Sequence, residues 1–267
     1  MKFEARPVRI GAVSTQIIEA GEGRPLLFLH SGEGPDTLAD RYMQLLAEHY
    51  RVICPWHPGF GDSTRPPGFR DIGDLAYFYL DLADHFGLKD AVLAGASFGG
   101  WIAAEMAIRS TAHFSHLVLA DPFGVKAGGR DARDIVDFFA IDEETWHKVA
   151  FHDPSIAKRD FTKMSDEELG RLVRSKESLS FYGWKPFMHN PQLKRWLHRI
   201  RIPTLVMNGS EDRVVAETCF RLYAETVPNA TRVTIDRAGH YPHIEQPEAF
   251  VREVVRFAQP GHDGGPQ

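Results

Sequence analysis

The sequence predicts an α/β fold: a mostly parallel sheet, doubly wound by helices, with a helical cap inserted after the sixth strand. Three observations predict it. Short, continuously apolar runs recur along the chain, such as Leu26–Leu29 and Ala91–Ala94, which is the pattern of strands buried on both faces. Amphipathic helical patterns alternate with these runs, and such alternation implies parallel strands joined by covering helices. Between Asp121 and Pro203 the alternation stops, and the chain reads as helices joined by charged loops.

Taken in order, residues 8–19 read as a hairpin and 26–30 and 51–55 as strands. Residues 71–86 carry Ile72, Leu75, Tyr79, Leu82 and Phe86 at three- and four-residue steps, with Asp71 and Asp74 where a helix dipole favours acids. Strands follow at 91–96 and 115–120, with a helical run from Trp101 to Ile108 between them. Strands at 203–208 and 231–236 and a helix opening at Gln246-Pro247-Glu248 complete the pattern. Residues 1–123 and 200–258 are therefore expected to form one core and 124–199 the cap, with 259–267 a disordered polar tail. In the cap, Ser165-Asp166-Glu167-Glu168 has the form of a capping box and Asp142-Glu143-Glu144 opens another helix. These acids read as helix starts, not as catalytic carboxylates.

Gly95-Ala96-Ser97-Phe98-Gly99 joins a strand to a helix through a turn that exposes the serine hydroxyl. A free serine is un-ionised at neutral pH, so it needs a base, an acid to orient the base and an oxyanion site. His240 follows the strand-like Thr231–Ile235, and Asp212 follows Thr204–Asn208. Each of these residues therefore stands at the carboxyl end of a strand, the edge where such sheets place their ligands. The turn His30-Ser31-Gly32-Glu33-Gly34-Pro35 follows another strand. It offers a backbone N–H from Gly32 or Ser31 to partner that of Phe98 in an oxyanion hole.

With these motifs in the order Ser97, Asp212, His240, the chain resembles the α/β-hydrolase fold superfamily from about residue 8 to residue 258. His57-Pro58-Gly59-Phe60-Gly61-Asp62-Ser63 is similar to the family's Pro-Gly turn. There are two departures: the oxyanion turn has His30-Ser31 where the family usually has His-Gly, and Trp56-His57 stands where it usually has an acid before Pro-Gly. The resemblance implies a Ser97–His240–Asp212 triad. Asp121, after the strand Leu117–Ala120, is an alternative acid, because some members draw it from that strand. His243 competes as base but reads as a packing residue, and His30 reads as support for the oxyanion turn.

The net charge of −5, with no run of lysines or arginines, gives no electrostatic footprint for nucleic acid or an anionic membrane. The two cysteines, Cys54 and Cys219, match no metal spacing and read as reduced. No stretch approaches the ~20 apolar residues of a membrane span, and residues 1–9 lack the apolar core of a signal peptide. The expectation is a cytoplasmic enzyme, monomer or homodimer, with a small-molecule substrate and neither cofactor nor metal. Its apolar pocket draws on His30, Trp101, Phe139, Trp146, Trp184, Phe187 and Tyr241.

A serine at the elbow argues against the dehalogenase and epoxide hydrolase branches, which carry aspartate there. The reading is a serine hydrolase of a carboxylic ester or lactone. The alternative is a carbon–carbon bond hydrolase of ring-cleavage products, suggested by His30–Pro35 and Ser97-Phe98-Gly99-Gly100. Arg171 and Arg174 are its candidate carboxylate contacts, although Tyr241 stands where that branch usually has tryptophan. A slow-turnover ligand receptor of this fold is a third reading.

Overall fold

The computed structural model describes residues 3–34 and 41–259. The strands are β1 (Ala5–Ile10), β2 (Val13–Ala20), β3 (Pro25–Leu29), β4 (Arg51–Pro55), β5 (Ala91–Ala96), β6 (Phe114–Ala120), β7 (Thr204–Gly209) and β8 (Ala230–Ile235). They form one sheet in the order β1-β2-β4-β3-β5-β6-β7-β8, antiparallel at β1/β2 and β2/β4 and parallel from β4 onward. The helices are α1 (Arg41–Ala47), α2 (Ile72–His85), α3 (Phe98–Arg109), α4 (Glu143–Ala150), α5 (Asp166–Gly183), α6 (Leu193–Trp196), α7 (Glu217–Thr226), α8 (Pro242–Glu245) and α9 (Pro247–Phe257). The expected hairpin starts earlier than its apolar pattern, because the solvent-facing β1 pairs from Ala5 onward.

Side chains alternate across each strand, and both faces are covered. Leu27, Leu29, Ile53, Leu93, Leu117 and Val206 pack into one core with α2 and α3. Leu26, Phe28, Val52, Val92, Val118 and Leu205 pack into the other with α1 and α9. Successive residues thus belong to opposite cores, so the strands read as unbroken apolar runs. Cys54 and Cys219 are buried thiols that form no disulfide.

Helix α2 starts at a capping box in which Asp71 accepts from the Gly73 and Asp74 amides, a cap contributing about 1 kcal/mol. Ser165 and Glu168 form the same device on α5, and Asp142 accepts from the Thr145 amide to start α4. Between β6 and β7 there is no named strand among the described residues, only α4, α5, α6 and single 3₁₀ turns. Bridges Gly124–His189 and Ile135–Val215 tie this insert to itself and to the loop after β7. No described helix is long and apolar enough to cross a membrane. The expected polar tail, apart from Gln259, lies outside the described residues.

Candidate active site

Ser97 occupies the N-cap position of α3 with φ 55° and ψ −115°, a conformation a non-glycine residue rarely adopts, and its side chain does not cap the helix. The turn is possible because Gly95 and Gly99 lack side chains. A Cβ on Gly95 would stand 2.3 Å from the Gly99 carbonyl oxygen, and one on Gly99 would stand 2.1 Å from that of Leu29. Both obstacles are backbone, so neither can yield cheaply. The Ser97 hydroxyl is freed from local hydrogen bonding and lies 2.8 Å from His240 Nε2.

His240 is fully buried, with Nδ1 2.9 Å from Asp212 Oδ2. Its backbone N–H donates to the Ala150 carbonyl at the end of α4, and its ring stacks on Phe123 at 5.1 Å and 18°. Asp212 is fixed in turn by the Val214 and Val215 amides, which donate to Oδ1 at 2.7 and 3.1 Å. Burial by itself would raise the Asp212 pKa. His240, with its charge and hydrogen bond, and then Asp121 and the Val214 amide outweigh burial and hold it below the usual carboxylate range. His243, the competing base, is instead buried against Phe28, Tyr42 and Phe250, and burial lowers its pKa to about 3.

Asp121 is fully buried behind Asp212 and accepts from the Gly209 amide at 3.0 Å. Asp121, Asp212 and His240 are the described group whose donor atoms come within metal-ligand spacing, all within 4.8 Å of one another. His240 spends both ring nitrogens on Asp212 and Ser97. That leaves it no lone pair for a cation, and the group does not fit a metal.

The turn at His30–Gly34, expected to carry an oxyanion donor, rests on a buried imidazole pair. His30 Nδ1 donates to the Ser31 carbonyl at 2.6 Å, and its Nε2 accepts from the His57 amide at 3.0 Å. His57 Nε2 donates to the His30 carbonyl at 2.8 Å, and its Nδ1 accepts from the Tyr79 hydroxyl. Burial lowers the His30 pKa to about 3 and drives that of His57 well down, with His30 adding to the second shift. Both rings are therefore neutral, as the alternating donors and acceptors require. Gly32 shares a cavity wall with Ser97, whereas Ser31 is not on that wall; its carbonyl accepts from His30 Nδ1 and its Oγ from the Glu33 amide. Phe98 opens α3, where the first N–H groups of a helix have no partner within it.

This cavity measures about 120 Å³. Its apolar wall is made by Phe123, Phe138, Ile141 and Leu179 together with Phe139, Trp146 and Tyr241, and Glu33, Glu143 and Lys176 supply charge. Of the expected pocket residues, Phe139, Trp146 and Tyr241 stand on the wall and the other four do not. His30 is buried, bonded to the Ser31 carbonyl and the His57 amide. Trp101 is drawn into α3, where its Nε1 donates to Glu105. Trp184 is 56% exposed, and Phe187 backs Phe138 and Phe139 while facing a different cavity. An aromatic in a helical insert can face the roof, its own core or solvent, and composition does not choose.

Sequence reasoning missed Phe123 and Leu179, and both carried a signal. Phe123 closely follows β6, at the carboxyl-end edge where ligands gather. Leu179 belongs to a stripe of Ser175, Ser178, Leu179 and Tyr182 at helical spacing, which is the buried face of α5. Arg171 and Arg174 do not reach the cavity: Arg171 Nε and Arg174 Nη2 donate to Asp62 at 2.6 and 2.7 Å, and Arg174 Nε donates to the Gly61 carbonyl.

A family model described as alpha/beta hydrolase family matches residues 26–253. A 2-hydroxy-6-oxo-2,4-heptadienoate hydrolase of Pseudomonas putida is 29% identical, over 94% of this chain and 95% of that protein. A pimeloyl-[acyl-carrier protein] methyl ester esterase of Vibrio cholerae is 23% identical over 90% and 96%. Among solved structures, a serine hydrolase involved in carbazole degradation superposes with a TM-score of 0.76 at 21% identity, covering 96% of this chain and 98% of the other.

Proposed function

The chain belongs to the alpha/beta hydrolase family, and on that premise we propose that it is a serine hydrolase cleaving a small, mostly apolar carboxylic ester or lactone. The observation that carries this reading is the cavity at Ser97: aromatic and aliphatic walls, and no arginine among its described lining residues. A dianionic substrate would bring two negative charges to a wall whose one lining cation among the described residues, Lys176, stands with two acids, Glu33 and Glu143, and burying the charge left unpaired is costly. An uncharged ester would not.

In this reading Ser97 Oγ attacks the carbonyl carbon while its proton passes to His240 Nε2, 2.8 Å away. The Asp212 carboxylate keeps the other proton on Nδ1 and stabilises the imidazolium. The N–H groups of Phe98 and Gly32 face the developing oxyanion, and removing one such donor typically costs about 10²–10³ in rate. His240 then gives its proton to the departing alkoxide, the C–O bond breaks, and the acyl group stays on Ser97. Water attacks the acyl carbon with His240 as base, and Ser97 recovers its proton as the acid leaves.

A second reading, a carbon–carbon bond hydrolase of vinylogous diketone acids, is favoured by the Pseudomonas putida relative and by Lys176 on the cavity wall, a cation that could meet a carboxylate. The test is steady-state hydrolysis of short and medium p-nitrophenyl esters beside turnover of a vinylogous diketone acid, for the wild type and Ser97→Ala. The expected result is ester turnover that falls by about 10⁴–10⁶ in kcat in the variant. Turnover of the diketone acid with esters left untouched would transfer the assignment to the second reading.

A further inference from the structure

Asp121 is a buried carboxyl that the mechanism above does not use, and its hydrogen bonding is incomplete. It stands at the end of β6 with φ 45°, where its N–H continues the ladder to the Met207 carbonyl at 2.9 Å. Its Oδ1 accepts from the Gly209 amide, 88 residues away in sequence, at 3.0 Å. Its Oδ2 is buried and meets no donor among the described residues. The group within hydrogen-bonding reach is the Asp212 carboxyl, which is itself an acceptor. Two carboxyl groups can hydrogen-bond only if one of them carries a proton.

The partners decide which one does. Asp212 accepts from two backbone amides and from His240 Nδ1, whereas Asp121 accepts from one amide. Three donors hold negative charge better than one, so the charge sits on Asp212 and the proton on Asp121. The other ionisable groups that face Asp121 are His240 and Tyr241 after β8 and Glu245 at the end of α8, and none is a lysine or arginine that would favour its anion. Burial first, then Asp212 and Glu245, push its pKa well above the usual carboxylate range, in agreement with the hydrogen-bond count.

We propose that Asp121 is a positioning residue: a neutral carboxylic acid whose O–H donates to Asp212, so that the carboxylate facing His240 is held from two sides and only one negative charge lies behind the imidazole. The inference rests on the triad reading above. Its consequence is a triad acid whose basicity toward His240 is moderated by a proton that never reaches the substrate.

Two measurements test it. In wild-type protein carrying ¹³C-carboxyl aspartate, NMR titration is expected to show one aspartate carboxyl still protonated at pH 7. Full ionisation of every aspartate by that pH overturns the proposal, and this experiment needs no variant to fold. The second follows the rate at which a fluorophosphonate labels Ser97 as a function of pH, a readout independent of the natural substrate.

Asp121→Asn, whose amide can donate in place of the acid, should keep the acidic limb of that profile within about 0.3 pH unit and the rate within about tenfold. Asp121→Ala lacks the donor, so it should slow labelling about tenfold or more and move the limb to higher pH, because a less restrained Asp212 stabilises imidazolium better. A merely structural role would change stability without moving the limb. A limb moved to lower pH in Asp121→Asn means that a negative charge was removed and overturns the inference alone, as does an Asp121→Ala profile identical to wild type. Absence of labelling at wild-type Ser97 overturns the triad reading and this inference with it.

Discussion

Helices α3 and α5 both serve the cavity at Ser97, yet they are held in opposite ways. Every residue of α3 from Phe98 to Ile108 is buried, against the sheet on one side and α2 and the insert on the other. In α5 only Ser175, Ser178, Leu179, Tyr182 and Gly183 are buried, and it is fastened to the turn at 59–65 mostly by polar groups. Ser178 Oγ donates to the Gly59 carbonyl at 2.7 Å, Ser175 Oγ accepts from the Gly61 amide at 3.2 Å, and Arg171 and Arg174 hold Asp62. Leu179 covers Gly32 so closely that a Cβ there would be 2.7 Å from its Cδ2. The lesson is a division of labour: backbone contact and apolar packing fix Ser97, while exchangeable polar bonds fix the roof. The first resists change and the second adapts to it.

The contrast can be broken most severely at the elbow. Gly99→Ala pushes a methyl group into the Leu29 and His30 carbonyls and should destabilise the fold by about 4 kcal/mol or more, read as the loss of denaturation midpoint. A midpoint near that of wild type would mean that the strand–helix contact is looser than the geometry implies.

Acid should strike the same region next. His30 and His243 have pKa values lowered to about 3 and His57 well below its usual value, all through burial, while in the unfolded chain each returns to about 6.5. The unfolded state therefore binds more protons in this window. The stability these rings contribute is fully present above about pH 6.5 and is lost as pH falls toward 3. Urea midpoints should drop steadily between pH 7 and 5, and His243→Phe should flatten part of that slope. A slope unchanged in the variant would remove His243 from the account.

The smallest effect belongs to the roof. Asp62→Asn weakens the hold on Arg171 and Arg174, all partly exposed, and such pairs contribute about 0–1 kcal/mol each. Global stability should barely move. KM for ester substrates should rise severalfold in the variant, and high salt should have the same effect on wild type through screening. A wild-type KM insensitive to salt would show that α5 is held by Leu179 and the serines alone.

The parts of this molecule that were legible in the sequence are those written within a few residues. The alternation of strand and helix, the acids Asp71 and Asp74 at the start of α2, the capping box at Ser165, and the tight turn at Ser97 depend on neighbouring side chains and backbone sterics. The chain order of Ser97, Asp212 and His240, each after a strand, located the candidate site, because parallel strands carry all their following loops to one edge.

Tertiary structure alone decided which side chains meet across long separations. It placed Phe139, Trp146 and Tyr241 on the cavity wall, left Trp184 in solvent, and turned Arg171 and Arg174 onto Asp62. It also set Asp121 behind Asp212 through an amide 88 residues distant. The physical reason is range: turn and cap energies are spent between adjacent residues, whereas the facing of an insert's side chains is set only when its helices dock, and docking depends on surfaces from both ends of the chain.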